Sequence, residues 1–344
     1  MKNNPFGLDI GSSSMKAVWL SEEKNGYSLL AALTSPTPAK GMMSESPLDQ
    51  EEVAQVIKKM ISEGGIATRY VNLALSENQV YTKVLEMPVL SDKELSSAIY
   101  WEAEQYIPVP LTNITLDWKV LKRPSNPLEE GKMQVLLVGA PTLLVEKYQK
   151  TLAMAGLSIA TIETEIISTL RSLSEGSNFP NSVVVNIGAM STALAVVKEG
   201  TMIFAYSVTT GGIAINRAIA VDFGFTLSQA EEYKKVYGVS SKTLGGKIGQ
   251  STIPILLSIV NEVKKALAFY NEKYKGDAPI QQILLAGGSA KLPGIDLFFA
   301  QSCGIETAIA NPWHVLSNQE VPKELLDDAS DYAVAIGLAM RSYE

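Results

Sequence analysis

The chain has 344 residues, of which 46% are hydrophobic and 19% are charged, and its formal net charge is −7. This length exceeds what one hydrophobic core usually serves, so we expect a well-packed protein of two or more domains. The acidic balance argues against a general nucleic-acid binder, because such proteins need positive charge against phosphates. A single cysteine excludes an internal disulfide, and a single histidine argues against a histidine-based metal site or catalytic triad.

The sequence predicts no membrane segment of its own. No stretch approaches the run of about 18 apolar residues that a transmembrane helix needs. The start, MKNNPFG, is unlike a signal peptide, and the end, AMRSYE, is unlike an amphipathic membrane tail. We therefore expect a cytoplasmic protein that reaches a membrane only through a protein partner.

The first candidate site lies in FGLDIGSSSMKAVWL, residues 6–20. Apolar alternation up to Ile10 predicts a strand, and Ala17 lies in a second strand. The turn between them contains a glycine and three serines, and such small residues leave backbone N–H groups uncovered for an anion. Asp9, at the end of the strand, could hold Mg²⁺ through water. Taken alone, the pattern also fits an ordinary hairpin.

A similar pattern returns half a chain later in VVVNIGAMSTALAVV, residues 183–197. Asn186-Ile187-Gly188 stands 177 positions after Asp9-Ile10-Gly11. In both places two apolar strands flank a loop of small residues, and a charged turn and a third strand follow. The repetition predicts two similar domains whose loops face each other across a cleft.

A third glycine loop lies in ILLAGGSAKLPGI, residues 283–295. Gly287-Gly288-Ser289 follows a buried strand directly, and paired glycines there let a ligand approach the backbone closely. Ligands of open α/β sheets bind outside the carboxyl ends of the strands. Three such loops in one chain favour a nucleotide site over three unrelated turns.

Helices are predicted around these loops. Thr226 is a candidate N-cap for a helix that carries Glu231 and Lys234. These two residues either form a solvated pair or face the cleft and contact a sugar or base, and the local sequence favours neither. Further helices are expected over 253–274, with one amphipathic face, and over 331–341, where small residues permit close packing.

A distinctive segment, roughly 77–165, lies between the two repeated loops. It contains VLEMPVLSDKELSSAIYWEAEQYIPVP, residues 84–110, in which a helix over 94–105 stops before two prolines. A strand, a helix over 142–155 capped by Gly156, and a return strand follow.

These motifs, in this order, resemble the actin-like ATPase superfamily. The insert, with EAEQYIPVP and LLAGGSAKLPGI, resembles the PilM family of type IV pilus assembly proteins, which is related to FtsA. The resemblance covers essentially the whole chain. It implies an α/β, actin-like (ribonuclease H-like) duplicated two-lobe fold with an inserted 1C-type (SHS2-like) β-α subdomain. The implied subdomains are 1A (1–76, 166–182 and 331–344), 1C (77–165), 2A (183–212 and 281–330) and 2B (213–280).

The resemblance also implies a site for ATP and Mg²⁺, with Asp9 holding the metal through water. The implied nucleotide-binding residues are Asp9, Gly11, Ser12, Ser13, Ser14 and Lys16 in the first phosphate loop, Gly188, Ala189, Ser191 and Thr192 in the second, Gly212, Glu231 and Lys234 at the ribose and base, and Gly287, Gly288 and Ser289 in the adenosine loop.

One departure from the superfamily bears on activity. Many members carry aspartate where this chain has Asn186, and a neutral amide cannot act as a base and helps a metal less. Ala189 and Met190 also replace glycines that are frequent in that loop. We therefore assign no catalytic residue and expect ATP binding with weak or absent hydrolysis.

The implied function is a cytoplasmic scaffold of the pilus assembly platform, peripheral to the inner membrane. It would bind the N-terminal cytoplasmic tail of a PilN-like membrane protein, and through it connect to PilO and the motor ATPases. Self-association is left open. Two alternatives also stay open: a filament-forming ATPase in the manner of FtsA or actin, and a small-molecule kinase on the same fold, against which Asn186 counts.

Overall fold

The structure is a computed structural model that describes residues 4–124, 132–174, 179–239, 246–317 and 320–341. In chain order the strands are β1 (Phe6–Ile10), β2 (Ser14–Glu23), β3 (Gly26–Pro36), β4 (Tyr70–Leu75), β5 (Tyr81–Met87), β6 (Ile114–Lys122), β7 (Met133–Pro141), β8 (Ser158–Thr164), β9 (Ser182–Ile187), β10 (Thr192–Lys198), β11 (Thr201–Val208), β12 (Gln282–Ala286) and β13 (Glu306–Ile309). The helices are α1 (Pro47–Glu63), α2 (Asp92–Tyr106), α3 (Thr142–Met154), α4 (Glu165–Ser174), α5 (Gly212–Phe223), α6 (Leu227–Tyr237), α7 (Lys247–Lys273), α8 (Ile295–Cys303), α9 (Lys323–Asp327) and α10 (Ala333–Ala339).

Two five-stranded sheets have the same topology. The first has the strand order β3-β2-β1-β4-β8 and the second the order β11-β10-β9-β12-β13. In each, the first three strands form an antiparallel meander, the central strand then pairs in parallel with a fourth strand, and the fourth pairs in parallel with a fifth. The predicted duplication is therefore confirmed at the level of strand order and direction.

Each sheet is covered by helices; α3 and α7 were predicted from the sequence, and α1 was not. On the first sheet, α1 and α3 pack against alternate residues of β1, including Phe6 and Leu8. On the second, α7 contributes Leu256, Ile259 and Val263 to a core shared with β9 and β12. The predicted amphipathic face of α7 is therefore confirmed.

The start of α7 differs from the prediction at 253. The helix begins at Lys247, and Pro254 lies inside it. Residues before the proline are buried, among them Ile248 and Thr252, and the Thr252 hydroxyl donates to the Ile248 carbonyl at 2.9 Å. Tertiary packing thus stabilises a turn of helix that the proline alone argues against.

The insert forms a separate three-stranded sheet in the order β5-β7-β6, with α2 buried against it through Leu95, Ile99 and Ala103. Its predicted end at residue 165 is wrong in one respect. The strand β8 pairs in parallel with β4, and α3 packs on the core of the first sheet. A parallel return strand needs a crossover, and α3 supplies it. The four-subdomain division otherwise stays a prediction.

The C-terminal helix α10 packs very closely on the first lobe. A Cβ added at Gly7 would lie 2.2 Å from the Ala335 carbonyl oxygen, and one added at Gly337 would lie 1.8 Å from the Ser168 carbonyl oxygen. The Asn72 side chain also donates to the Leu338 carbonyl at 2.8 Å. The predicted close helix packing is confirmed. Across the described ranges, no helix is both long and apolar enough to cross a membrane.

Candidate nucleotide site

The first loop is shaped by the pairing of β1 and β2, which sets Asp9 opposite Lys16. Ser12 and Ser13 are exposed at the tip. Thr37 fixes the loop from the side, because its hydroxyl donates to the Gly11 carbonyl at 2.6 Å and its N–H donates to the Ser13 carbonyl at 3.0 Å. The loop therefore presents small polar residues on a braced backbone, as an anion cradle requires.

Lys16 is buried beneath this loop. Its ammonium donates to the Ser14 hydroxyl at 2.7 Å and pairs with an Asp331 carboxylate oxygen at 2.9 Å. Burial raises the pKa of Asp9 to about 6, the charge of Lys16 acts to lower it, and the charge of Asp331 raises it further. The site thus holds a lysine suited to phosphate and an aspartate that favours a nearby cation.

Two further carboxylates stand behind Asp9, and sequence reasoning missed both. Glu165 begins α4, and its pKa is raised well above the usual range by burial and by the charges of Glu77 and Asp9. Glu77 accepts the Ile166 N–H at 2.8 Å, and burial raises its pKa to about 7. The only sequence signal was the position of each acid at the end of an apolar strand.

The second loop repeats the backbone of the first with different side chains. Its strand pairing sets Asn186 opposite Ala193, and the Gly188 N–H donates to the Ser191 carbonyl at 2.9 Å. Ala189 lies half-buried in the loop between them. Thr192 is fully buried, and its hydroxyl donates to the Thr210 carbonyl at 2.7 Å. This geometry gives no support to the predicted ligand contact of the Thr192 side chain.

The segment at Gly212 joins the second loop to α6. The Gly212 N–H donates to the Gly188 carbonyl at 2.9 Å. A Cβ added at Gly212 would lie 2.5 Å from the Ser289 hydroxyl and 3.2 Å from the Lys234 ammonium. These residues therefore meet at one place, and only glycine leaves room for them.

Lys234 and Glu231 are not a solvated pair. The Lys234 ammonium is buried, pairs with Glu231 at 2.6 Å and donates to the Gly212 carbonyl at 3.4 Å. The Asn216 amide donates to the same Glu231 carboxylate at 2.6 Å. Burial acts to raise the pKa of Glu231, but Lys234 and Asn216 outweigh it and the pKa is lowered. Glu231 is thus held ionised, on the side of α6 that faces Asn216 of α5.

The third loop turns sharply after β12. Gly287 has φ +85°, and a Cβ added there would lie 2.5 Å from the Asn186 side-chain oxygen. The Gly287 N–H donates to the Ser330 carbonyl at 2.8 Å. Gly288, the next residue, is exposed. The third loop therefore touches both the second loop and the segment before α10.

The structure brings all four predicted segments into one connected region. The second loop and α6 meet at Gly212, the third loop meets the second at Asn186, and Asp331 links the first loop to the third. The predicted residues with exposed or half-exposed positions in this region are Gly11, Ser12, Ser13, Ser14, Gly188, Ala189, Ser191, Glu231, Gly287 and Gly288.

These residues fit a nucleotide with Mg²⁺. Braced small-residue loops, a buried lysine and a buried aspartate supply what phosphates and a hydrated cation need. Within the described ranges, no group of three or more His, Cys, Asp or Glu side chains could hold a metal ion alone. A cation here would therefore draw most of its ligands from phosphate and water, with Asp9 as the candidate carboxylate. Bound Mg²⁺ would neutralise phosphate charge.

The two sheets of equal topology, with the glycine loops at the ends of their strands, are those of the actin-like ATPase fold. MreB 5 of Spiroplasma citri, solved bound to AMPPNP, shares this fold with a TM-score of 0.55 and 13% identity, covering 98% of this chain and 95% of that chain. The cell division protein FtsA of Streptococcus pneumoniae serotype 2 is 25% identical over 372 aligned positions, covering 93% of this chain and 80% of FtsA.

A family profile described as "Type IV pilus assembly protein PilM" matches residues 7–343. The chain therefore belongs to this family. A solved chain from a "PilM-PilN type IV pilus biogenesis complex" is 29% identical, with a TM-score of 0.86 and 100% of both chains covered. The family and the fold inferred from the sequence motifs are both confirmed.

Proposed function

We propose that this protein is an ATP-binding scaffold of a type IV pilus assembly platform and that it binds the cytoplasmic tail of a PilN-like inner-membrane protein. One observation carries the proposal, namely the likeness over the full length of both chains to a protein solved as part of a PilM-PilN complex. That likeness includes the insert, which is the segment expected to contribute to the groove for the partner peptide.

The nucleotide part of the proposal is supported by the first loop. ATP would have its phosphates against Ser12, Ser13 and Lys16, with Mg²⁺ near Asp9. The adenosine would lie between Glu231 on α6 and the third loop. Lys16, Ser13 and Glu231 are positioned by hydrogen bonds or ion pairs within the protein, which reduces the reorganisation that ligand binding would need.

Slow or absent hydrolysis is the second part of the proposal. Asn186 and Ala193 occupy the places in the second loop that Asp9 and Lys16 occupy in the first, so the second loop brings no charge to the phosphates. Burial raises the pKa of the two further carboxyls behind Asp9, Glu165 and Glu77, and so disfavours the charged form that a general base needs. A nucleotide-dependent binding protein fits these side chains better than a fast enzyme.

The protein would work at the inner membrane only through partners. The tail of a PilN-like protein would hold it there, and PilO and the motor ATPases would be connected indirectly. Neither the acidic net charge nor the site calls for a nucleic acid.

The test is a titration of a fluorescent peptide that copies the cytoplasmic tail of the PilN-like protein from the same organism. Anisotropy is followed with no nucleotide, with Mg-ATP and with Mg-ADP. We expect saturable binding whose affinity changes at least threefold between nucleotide states, and no binding of a scrambled peptide. The same affinity in every state would overturn the nucleotide-dependent scaffold, and absence of peptide binding would overturn the pilus assignment.

A further inference from the structure

We propose that Asp331 is a positioning residue that holds Lys16 in place for phosphate and connects it to the third loop. This inference rests on the proposed function, because it takes Lys16 as a phosphate-binding lysine. It concerns a residue of the segment before α10, which no glycine loop contains. Asp331 lies in a 3-10 turn, Ala329–Tyr332.

One carboxylate contacts two lysines from different lobes. One Asp331 oxygen lies 2.9 Å from the Lys16 ammonium, and the other lies 3.3 Å from the Lys291 ammonium. Lys16 belongs to the first sheet, whereas Lys291 follows the third loop of the second sheet. Lys291 has a further partner in Asp328 at 2.6 Å. Asp331 is therefore the direct ionic link between the first loop and the third.

Lys16 depends on this link because it is buried. Its side chain is 5% exposed, and a buried ammonium without a contacting counter-ion is strongly disfavoured. In the described part of the chain its ammonium has two polar partners, the Ser14 hydroxyl and Asp331. Since an ammonium has three N–H donors, one donor stays available to a phosphate oxygen.

The turn that carries Asp331 is itself fixed to the third loop. The Gly287 N–H donates to the Ser330 carbonyl at 2.8 Å, and the Ser330 hydroxyl donates to the Gly287 carbonyl at 3.2 Å. A Cβ added at Gly288 would lie 3.1 Å from an Asp331 carboxylate oxygen. The aspartate thus sets the Lys16 ammonium at a defined place relative to the adenosine side of the site.

Removal of Asp331 also has an effect that would raise the affinity for ATP. Asp331 is an anion close to where phosphates would bind, so its removal would also relieve repulsion. Without Asp331, however, the Lys16 ammonium would have no contacting carboxylate, and the charge of Asp9 on the facing strand would act on it instead. Loss of position outweighs relief of repulsion, because one misplaced donor affects every phosphate contact of this lysine.

The experiment compares Asp331→Asn with Asp328→Asn as a matched control. Each variant removes one carboxylate charge and leaves Lys291 with one partner, but only Asp331→Asn leaves Lys16 without a contacting carboxylate. Calorimetry measures the affinities for Mg-ATP and for AMP, and thermal unfolding of each ligand-free variant reports on stability. ATP and AMP share the adenosine and differ in the number of phosphates.

We expect Asp331→Asn to weaken Mg-ATP binding about tenfold or more, and AMP binding less than about threefold. Asp328→Asn should change both by less than about threefold, and Asp331→Glu should recover most of the lost ATP affinity. If Asp331→Asn does not fold, the double variant with Lys16→Met should fold, since it no longer contains a buried ammonium that lacks a contacting carboxylate.

Four outcomes would overturn the assignment: equal losses in the two asparagine variants, an equal loss for ATP and AMP, a gain of ATP affinity in Asp331→Asn, or a double variant that stays unfolded. A wild-type chain that binds no Mg-ATP would overturn the proposed nucleotide site as well, so the two failures are distinguishable.

Discussion

The two halves of the molecule share a backbone and differ in charge. The hairpin turn of each sheet spans four residues between paired strands, and the same register sets Asp9 opposite Lys16 in the first and Asn186 opposite Ala193 in the second. The two loops therefore share a backbone conformation but differ in the charge of the side chains beside them. A loop can hold phosphate through backbone shape alone, but it needs charge to bind metal or to assist a proton transfer.

The central strands also differ, in the size of a side chain and not in charge. Gly7 in β1 stands where Val184 stands in β9, because α10 lies directly over the first sheet. In the second sheet Val184 fills a core that α4 shares. The comparison indicates that the first lobe is specialised for close packing of the C-terminal helix and for charge at its loop.

The largest expected effect tests the packing difference. Gly7→Ala places a Cβ against backbone atoms of α10 that cannot move independently, so we expect it to lower the free energy of unfolding by about 3 kcal/mol. The matched change on the other sheet, Val184→Ala, only removes apolar volume and should cost about 2 kcal/mol. Urea unfolding measures both. A smaller loss for Gly7→Ala than for Val184→Ala would contradict the packing argument.

The charge difference predicts unequal losses of nucleotide binding. Asp9→Ala removes the buried carboxylate near the expected metal, and we expect the affinity for Mg-ATP to fall about a hundredfold, which corresponds to about 2.7 kcal/mol. Asn186→Ala, at the equivalent place in the second loop, should lower it less than about fivefold. Calorimetric titration measures the ratio, and similar losses in the two variants would mean that the loops contribute equally.

A carboxylate placed in the second loop tests directly whether its neutral side chains limit hydrolysis. Asn186→Asp introduces a carboxylate that can accept a proton and help a metal, so we expect phosphate release to rise about tenfold. Asn186→Ala removes the amide without adding charge and serves as the control, with no increase expected. A continuous phosphate-release assay measures the rate of both variants. An unchanged rate in Asn186→Asp would show that Asn186 is not the cause of slow turnover.

The smallest expected effect concerns the acids behind the first loop. The pKa of Glu77 is raised to about 7, so its protonated form stabilises the fold at low pH, and this contribution is lost as pH rises through 7. Between pH 6 and pH 8 the loss is about 1 kcal/mol. Glu77→Gln keeps an acceptor for the Ile166 N–H and should flatten that dependence. Urea unfolding of both proteins across this pH range measures the effect. If Glu77 did not titrate there, the free energy of unfolding would decline equally steeply in the wild type and in Glu77→Gln.

Local sequence patterns predicted most of the fold because each depends on neighbouring residues. The repeated loops, the N-cap at Thr226 and the face of α7 were all predictable from residue type and spacing. The predicted end of the insert was wrong because strand partners are set by tertiary contacts. The exposed or buried state of Lys234 depended on α5 and the third loop, which lie close only after folding.

The site was predictable where glycine marked it and not elsewhere. No motif marks Asp331, Glu77 or Glu165. They lie near the first loop because β4 pairs with β1, β8 pairs with β4, and α10 packs on β1. Sequence reasoning also assigned Thr192 to the ligand, although in the structure its hydroxyl is used to bond the Thr210 carbonyl. Charged residues at strand ends therefore need the topology before a role can be inferred.

The most direct test of the account follows binding and phosphate release together while the purified protein is titrated with Mg-ATP. The charged first loop and the neutral second loop predict saturable binding with release far below about 1 s⁻¹, the low end of usual enzyme turnover. Release at about 1 s⁻¹ or above would contradict the scaffold account, and an absence of saturable binding would contradict the nucleotide site itself.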